Sequence, residues 1–100
     1  MASISSSSVT VASAGTAVRF TTAPTPIKSV LIHANANNSG IVYVGDSTAS
    51  ATTTPPLAAG SSLEIKFRDG VDETAGDLSD FYVDSASSSD GVTYIAVELN

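Results

Sequence analysis

One hundred residues with a net charge of −6 and only four cations, Arg19, Lys28, Lys66 and Arg68, describe one small domain of the wrong sign for phosphate neutralisation, so nucleic acid is not expected as a partner. The absence of cysteine excludes a disulfide, a thiolate nucleophile and a cysteine-ligated metal. The opening Met1-Ala2-Ser3-Ile4-Ser5 lacks the basic region and apolar core of a signal peptide, and no apolar run approaches the ~20 residues of a membrane span, so the expectation is synthesis in a cytoplasm and no membrane partner.

The polar run Ser5-Ser6-Ser7-Ser8 leads into Val9-Thr10-Val11-Ala12, a short alternating strand. After the turn Ser13-Ala14-Gly15, Ala17-Val18-Arg19-Phe20-Thr21 alternates again, with Val18 and Phe20 on one face. Pro24 and Pro26 then break the pattern, because proline cannot donate to a ladder and restricts the residue before it. Residues 1–24 therefore read as an N-terminal arm or hairpin and residues 25–100 as a β-sandwich domain.

Residues 27–34 and 40–45 are the next two strands, and the asparagine-rich join 35–39 predicts that they pair as an antiparallel hairpin. Val30 and Ile32 stand across the pleat from Leu31, and Val42 and Val44 from Ile41 and Tyr43. Both strands are thus apolar on two faces. A sandwich core covers one of them, and the other needs the arm, a long loop or another subunit.

Residues 46–59 form a Ser/Thr/Ala/Pro connection without periodicity, long for a compact domain. Leu63, Ile65 and Phe67 alternate with Glu64, Lys66 and Arg68, which turns the apolar three inward. Asp69-Gly70 opens an acidic loop through Asp77, and 78–83 and 92–99 are the last strands. About seven strands at turn-punctuated intervals, with no helical period, predict an all-β, single-domain antiparallel β-sandwich of Greek-key or jelly-roll type. Its expected core is Val30, Ile32, Val42, Val44, Leu63, Ile65, Phe67, Phe81, Val83, Ile95 and Val97.

Three blocks share one design: Ile41-Val42-Tyr43-Val44-Gly45-Asp46-Ser47, Leu78-Ser79-Asp80-Phe81-Tyr82-Val83-Asp84 and Asp90-Gly91-Val92-Thr93-Tyr94 each join a β-branched and aromatic run to Gly, Asp or Ser. With Pro55-Pro56-Leu57-Ala58-Ala59-Gly60-Ser61-Ser62-Leu63 between them, they resemble a family of small virion structural proteins of tailed bacteriophages. In that family an IYVGDS strand, an L-x-PG-x-S-L approach and an LSDIYVD strand recur in this order. The similarity runs over residues 27–98 and departs at the PG element, where Ala59-Gly60 stands. The resemblance implies a non-enzymatic capsid decoration or cement protein on the outer surface of the head, with the major capsid protein as partner and the host cytoplasm as its location during assembly. Two other readings stay open: a neck, tail or fibre component of the same virion, and a carbohydrate-binding surface module.

Chemistry is thinly represented. His33 is the only histidine and lies mid-strand without a partner for a dyad or a metal site, so it reads as a strand-flanking surface imidazole. No serine sits in a Gly-x-Ser-x-Gly elbow. The acidic loop 69–77 with Asp80 offers oxygen donors of the kind Ca²⁺ takes, but not at EF-hand spacing, and a solvated turn is the simpler reading. Asp46 and Asp84 read as turn caps. Tyr43, Tyr82 and Tyr94 form a sugar platform if exposed, and pack in or between the sheets otherwise. No cofactor, metal or catalytic residue is expected.

The candidate partner-interface residues are Met1 and Ile4 on the arm and Leu31, Ile41 and Tyr43 on the second apolar face. Closed homo-oligomers cover such faces, and a trimer capping a junction of capsid subunits is the favoured expectation. With so few cations, shape, hydroxyl hydrogen bonds and avidity would hold the contact more than charge.

Overall fold

The computed structural model describes residues 3–50, 52, 54–67 and 76–98. In chain order these residues form β1 (Ser3–Thr10), β2 (Val18–Arg19), β3 (Pro26–Ala34), β4 (Val42–Gly45), β5 (Pro56–Leu57), β6 (Ser62–Lys66), β7 (Gly76–Asp77), a 3₁₀ turn (Leu78–Asp80), β8 (Tyr82–Ser85) and β9 (Gly91–Glu98). They build two antiparallel sheets that pack face to face. One runs β1-β9-β3-β6, with the short β7 also on β3, and the other runs β2-β8-β4-β5.

Setting β7 aside, the strands of the first sheet are first, last, third and sixth in sequence, and those of the second are second, second-to-last, fourth and fifth. This is the order produced when a long hairpin, with the first strand against the last and the fourth against the fifth, is rolled so that successive strand pairs fall in alternate sheets. The β-sandwich expected from the sequence is therefore present with jelly-roll connectivity.

The order corrects both expected hairpins. β3 and β4 do not pair, because the link between them crosses from one sheet to the other. Beside backbone bonds such as the Asn35 amide to the Gly91 carbonyl at 3.1 Å, side chains hold the link. The buried Asp90 carboxylate accepts the Ser39 and Gly40 amides at 2.9 and 2.8 Å. Asn38 bonds both backbone groups of Gly91, its Nδ2 donating to the carbonyl at 2.9 Å and its Oδ1 accepting from the amide at 3.0 Å, so that an amide side chain stands in for a strand bridge.

β1 and β2 likewise lie in different sheets. β1 pairs with β9 along its whole length, from Ser3 opposite Glu98 to Thr10 opposite Gly91, and Val9, Val11 and Phe20 enter the core. The segment expected as an arm or hairpin thus contributes one edge strand to each sheet. Asp84 fastens the turn between them, accepting the Gly15 amide at 2.9 Å where Gly15 has φ +92°, a value that favours glycine. Two smaller expectations also change. The connection 46–59 contains β5, and the last-but-one strand begins at Tyr82, because Asp77 caps a 3₁₀ turn over Leu78–Asp80.

Burial follows the pleat. On β3, Val30, Ile32 and Ala34 face inward, and a register shift between Ile27 and Ser29 lets Ile27 reach the core too. Val42 and Val44 of β4 and Val83 of β8 face them from the second sheet. On β9 the buried residues are Val92, Tyr94 and Ala96, so Ile95 is a correction: it points away from the core and is 43% exposed. Val97 shares its outward side and is half-buried, and Leu63, paired with Ile32 on the inner side of edge strand β6, is 39% exposed because the narrower second sheet does not reach over it. Ile65, Phe67 and Phe81 are partly buried against the core.

Aromatic rings join the sheets. Tyr94 stacks on Phe20 at 5.3 Å between centroids, Phe20 meets Phe81 at 5.8 Å, and Phe81 meets Phe67 edge-on at 6.4 Å. At the start of β9 the packing leaves room only for hydrogen, since a Cβ on Gly91 would overlap the Val9 carbonyl. The face assignment of β3 and β9 is checked by a pair of variants in denaturant unfolding: Ile32→Ala is expected to cost about 2–5 kcal/mol, and Ile95→Ala no more than about 1 kcal/mol. Equal losses would contradict the assignment.

Candidate docking face

Among the described residues, the outer side of the β1-β9-β3-β6 sheet carries the most coherent surface feature. Directly opposed residues of an antiparallel sheet share a face, with Cβ atoms about 5 Å apart. One row across the strands reads Ser6, Ile95, Leu31, Glu64, and the next reads Ile4, Val97, Ser29, Lys66. The rows lie about 7 Å apart along the strands. Ile4, Ile95, Leu31 and Val97 therefore form one apolar group in the middle of the sheet, with Ile4 68%, Ile95 43% and Leu31 41% exposed. A row of Ser8, Thr93, His33 and Ser62 borders it on one side, and Glu64 and Lys66 at the β6 edge on another. His33 bonds Ser62 across this row, Nδ1 to Oγ at 2.9 Å.

Scattered exposed aliphatics need no explanation, but a contiguous group on a sheet face with a polar rim is the pattern of a contact surface. The three exposed side chains present about one and a half side-chain equivalents, roughly 2–5 kcal/mol if removed from water. That gain reaches at most the low end of the ~4–15 kcal/mol that rigid-body association costs. A lasting attachment through this group alone requires surrounding polar contacts or more than one copy.

The sequence-derived interface residues divide. Ile4 and Leu31 belong to this face, while Met1 lies outside the described residues. Tyr43 is on the outer side of the other sheet, opposite Asp84 and Pro56, and Ile41 precedes β4 there with 39% exposure. Leu31 and Tyr43 thus look away from each other across the sandwich. Ile95 was missed as a surface residue because Ile95 and Val97 are more apolar than Tyr94 and Ala96, so hydropathy alone assigns the wrong side of β9 to the core. The signal that identifies the face is steric: β9 needs its smallest and its flattest side chains where the second sheet approaches.

The tyrosines are not a common platform. Tyr94 is buried on Phe20, and burial pushes its phenol pKa up. Tyr43 and Tyr82 share the outer side of the second sheet, where the Arg19 guanidinium lies 5.8 Å from the Tyr82 ring centroid and its Nε donates to the Ser79 carbonyl at 2.6 Å.

A cleft of about 260 Å³ opens at one end of the sandwich between Phe67, Phe81, Gly76, Asp46, Asp77 and Asp80. Two of its three carboxylates serve as turn caps. Asp77 accepts the Thr25 amide at 2.8 Å and the Ser79 amide and hydroxyl at 2.9 and 2.7 Å. Asp46 accepts the Thr48 amide at 2.9 Å and hydroxyl at 2.6 Å, and these bonds, the hydroxyl foremost, lower its pKa. Among the described residues no group of three or more potential metal ligands comes together. The acidic loop considered for Ca²⁺ lies, over residues 69–75, outside the described residues.

No protein-family model matches the chain, and no curated protein matches it either.

The caps make one pH dependence testable. The Thr25 amide, then Ser79, holds the Asp77 carboxyl below the ordinary carboxylate range in the folded state. A group depressed on folding stabilises above its unfolded pKa and loses that contribution as pH falls through the folded value. Between about pH 5 and pH 2 the wild type is therefore expected to lose more stability than Asp77→Asn, read from urea midpoints at each pH. A gap between the two proteins that stays constant over this range would contradict the role assigned to Asp77.

Proposed function

We propose that the chain is a non-enzymatic structural protein of a virion, a decoration subunit that lies on the outer surface of a tailed-phage head against the major capsid protein. The observation that carries this reading is the apolar group Ile4, Leu31, Ile95 and Val97 on the outer side of the longer sheet. It faces solvent, lies on regular strands and needs no loop to order it, so it is preformed for a flat partner. The motif resemblance supports the virion context. Jelly-roll connectivity fits it, since jelly rolls serve in capsid and lectin domains, although a fold alone assigns no function.

Attachment follows from the face. The apolar rows exclude water against the shell, the serine and threonine row and Ser6 supply hydrogen bonds at the rim, and Glu64 and Lys66 fix orientation at the β6 edge. Charge contributes little to holding, so raising salt is expected to weaken binding only modestly. Many weakly held copies per particle stabilise the shell together.

Two measurements test the reading. Mass-spectrometric stoichiometry of purified virions is expected to give hundreds of copies per particle. A handful of rings would move the protein to the neck or tail, and absence from particles would overturn the proposal. In binding to undecorated heads, Leu31→Asp and Ile95→Asp are expected to lose attachment at least tenfold with unchanged circular dichroism, since each buries an unpaired charge. Tyr43→Asp, on the opposite sheet, is expected to bind as the wild type does. Loss with Tyr43→Asp alone would place the contact on the other face.

A further inference from the structure

The four sheet edges are not treated alike. A sheet edge offers unpaired N–H and C=O groups to any passing strand, and proteins blunt edges with charge, proline or brevity. β2 is two residues long and carries Arg19, β5 is two residues long and begins with Pro56 after Pro55, and β6 carries Glu64 and Lys66. β1 has none of these devices. It is eight residues, Ser-Ile-Ser-Ser-Ser-Ser-Val-Thr, without charge, proline, glycine or a register shift against β9. Among the described residues no backbone hydrogen bond reaches its outer edge. Every second residue therefore presents its backbone pair to solvent.

We infer that β1 is a self-pairing edge: two copies of this chain join antiparallel, β1 to β1, into one continuous sheet across a two-fold axis. The occupant is a second copy because the strand is complementary to itself. On a chain of net charge −6, an uncharged serine strand is a place where two copies meet without like charges opposed, and serines facing serines pack without clash and exchange hydroxyl bonds. An antiparallel two-fold pairing keeps outer residues opposite outer residues, so the seam centres on a residue, and the longest overlaps of Ser3–Thr10 centre on Ser6 or on Ser7, joining residues 3–9 or 4–10. Both put the outer sides of the two long sheets on the same side of the dimer.

That placement has a consequence for Ile4. At 68% exposure it is the most open large apolar residue among the described ones and the one nearest the seam, where it faces Ser8 or Thr10 of the other copy, so pairing sets the two apolar groups on the same side of the joined sheets with the seam's serines between them. A face too small to hold one subunit is doubled without new side chains. The pairing replaces the three-fold association expected from the sequence with a two-fold one. It does not rest on the capsid reading.

The test uses the isolated full chain. In sedimentation velocity over a concentration series, the wild type is expected to move between monomer and dimer, and Ser6→Lys to raise the dissociation constant by about tenfold or more, because it sets two ammonium groups directly opposite (Ser6-centred register) or diagonal to each other (Ser7-centred register) across the seam. Amide hydrogen exchange supplies the second readout and needs no variant. At concentrations where the dimer forms, all amides of residues 4–9 are protected; on dilution, every second one exchanges rapidly. A wild type that stays monomeric at high concentration, that forms trimers, or whose alternate β1 amides exchange rapidly at every concentration overturns the inference. A monomer that still saturates phage heads removes the dimer and leaves the decoration role, whereas a dimer that binds no heads does the reverse.

Discussion

The placement of β9 between β1 and β3 is the constraint on which the rest of the molecule depends. It brings the last strand of the chain against the first, closing the roll, and it requires the start of β9 to approach β1 so closely that Gly91 admits no side chain. The ends of neighbouring elements are tied to the same point: Asp90 holds the Ser39 and Gly40 amides, Asn38 pairs with Gly91, and the Val11 amide donates to the Asp90 carbonyl at 2.8 Å. A small domain without disulfides thereby fixes three segments distant in sequence with short, satisfied hydrogen bonds, and among the described residues no buried polar side-chain atom is left unpartnered.

The same strand sets both sides of the long sheet. Tyr94 on its inner side anchors the aromatic bridge to Phe20, while Ile95, one residue on, stands in the middle of the exposed apolar group. Core and surface are therefore coupled through one backbone, which pairs with β1 throughout and with β3 in register from Ser29 onward. The second sheet has a different task. Its strands are two to four residues long, and they cover only part of the inner side of strands eight and nine residues long.

Two of the three sequence motifs prove to be neighbours in space. The block from Ile41 to Ser47 supplies β4, the block from Leu78 to Asp84 supplies the 3₁₀ turn and β8, and the two strands pair with Tyr43 opposite Asp84 and Gly45 opposite Tyr82. The residues that carry the resemblance to phage virion proteins are thus mostly those that build the second sheet and its turns. They speak to how the chain folds more than to what the opposite face contacts.

The all-β class was legible because β-branched runs punctuated by glycine, aspartate and serine have few other ways to fold. Val30, Ile32, Val42, Val44 and Val83 were legible as core for the same reason. Pairing was not, because the Asn-rich link 35–39 has the composition of a hairpin turn, and only the distant Asp90 and Gly91 reveal that it is a strap between sheets. Nor was the role of residues 3–10, whose serines give no apolar alternation and are held in a strand by the ladder with β9 rather than by their own preference. Half of the candidate face, Ile4 and Leu31, could be read from the sequence, and Ile95 could not, since its hydropathy argues for the core.

Whether the long sheet turns its outer side to a virion shell, as proposed, is read most directly from a residue-resolution reconstruction of the intact particle. Density for the sandwich on the head exterior with Leu31 and Ile95 against the capsid subunits is expected; density that seats Tyr43 and the second sheet on the shell, or a particle without the protein, would contradict the proposal.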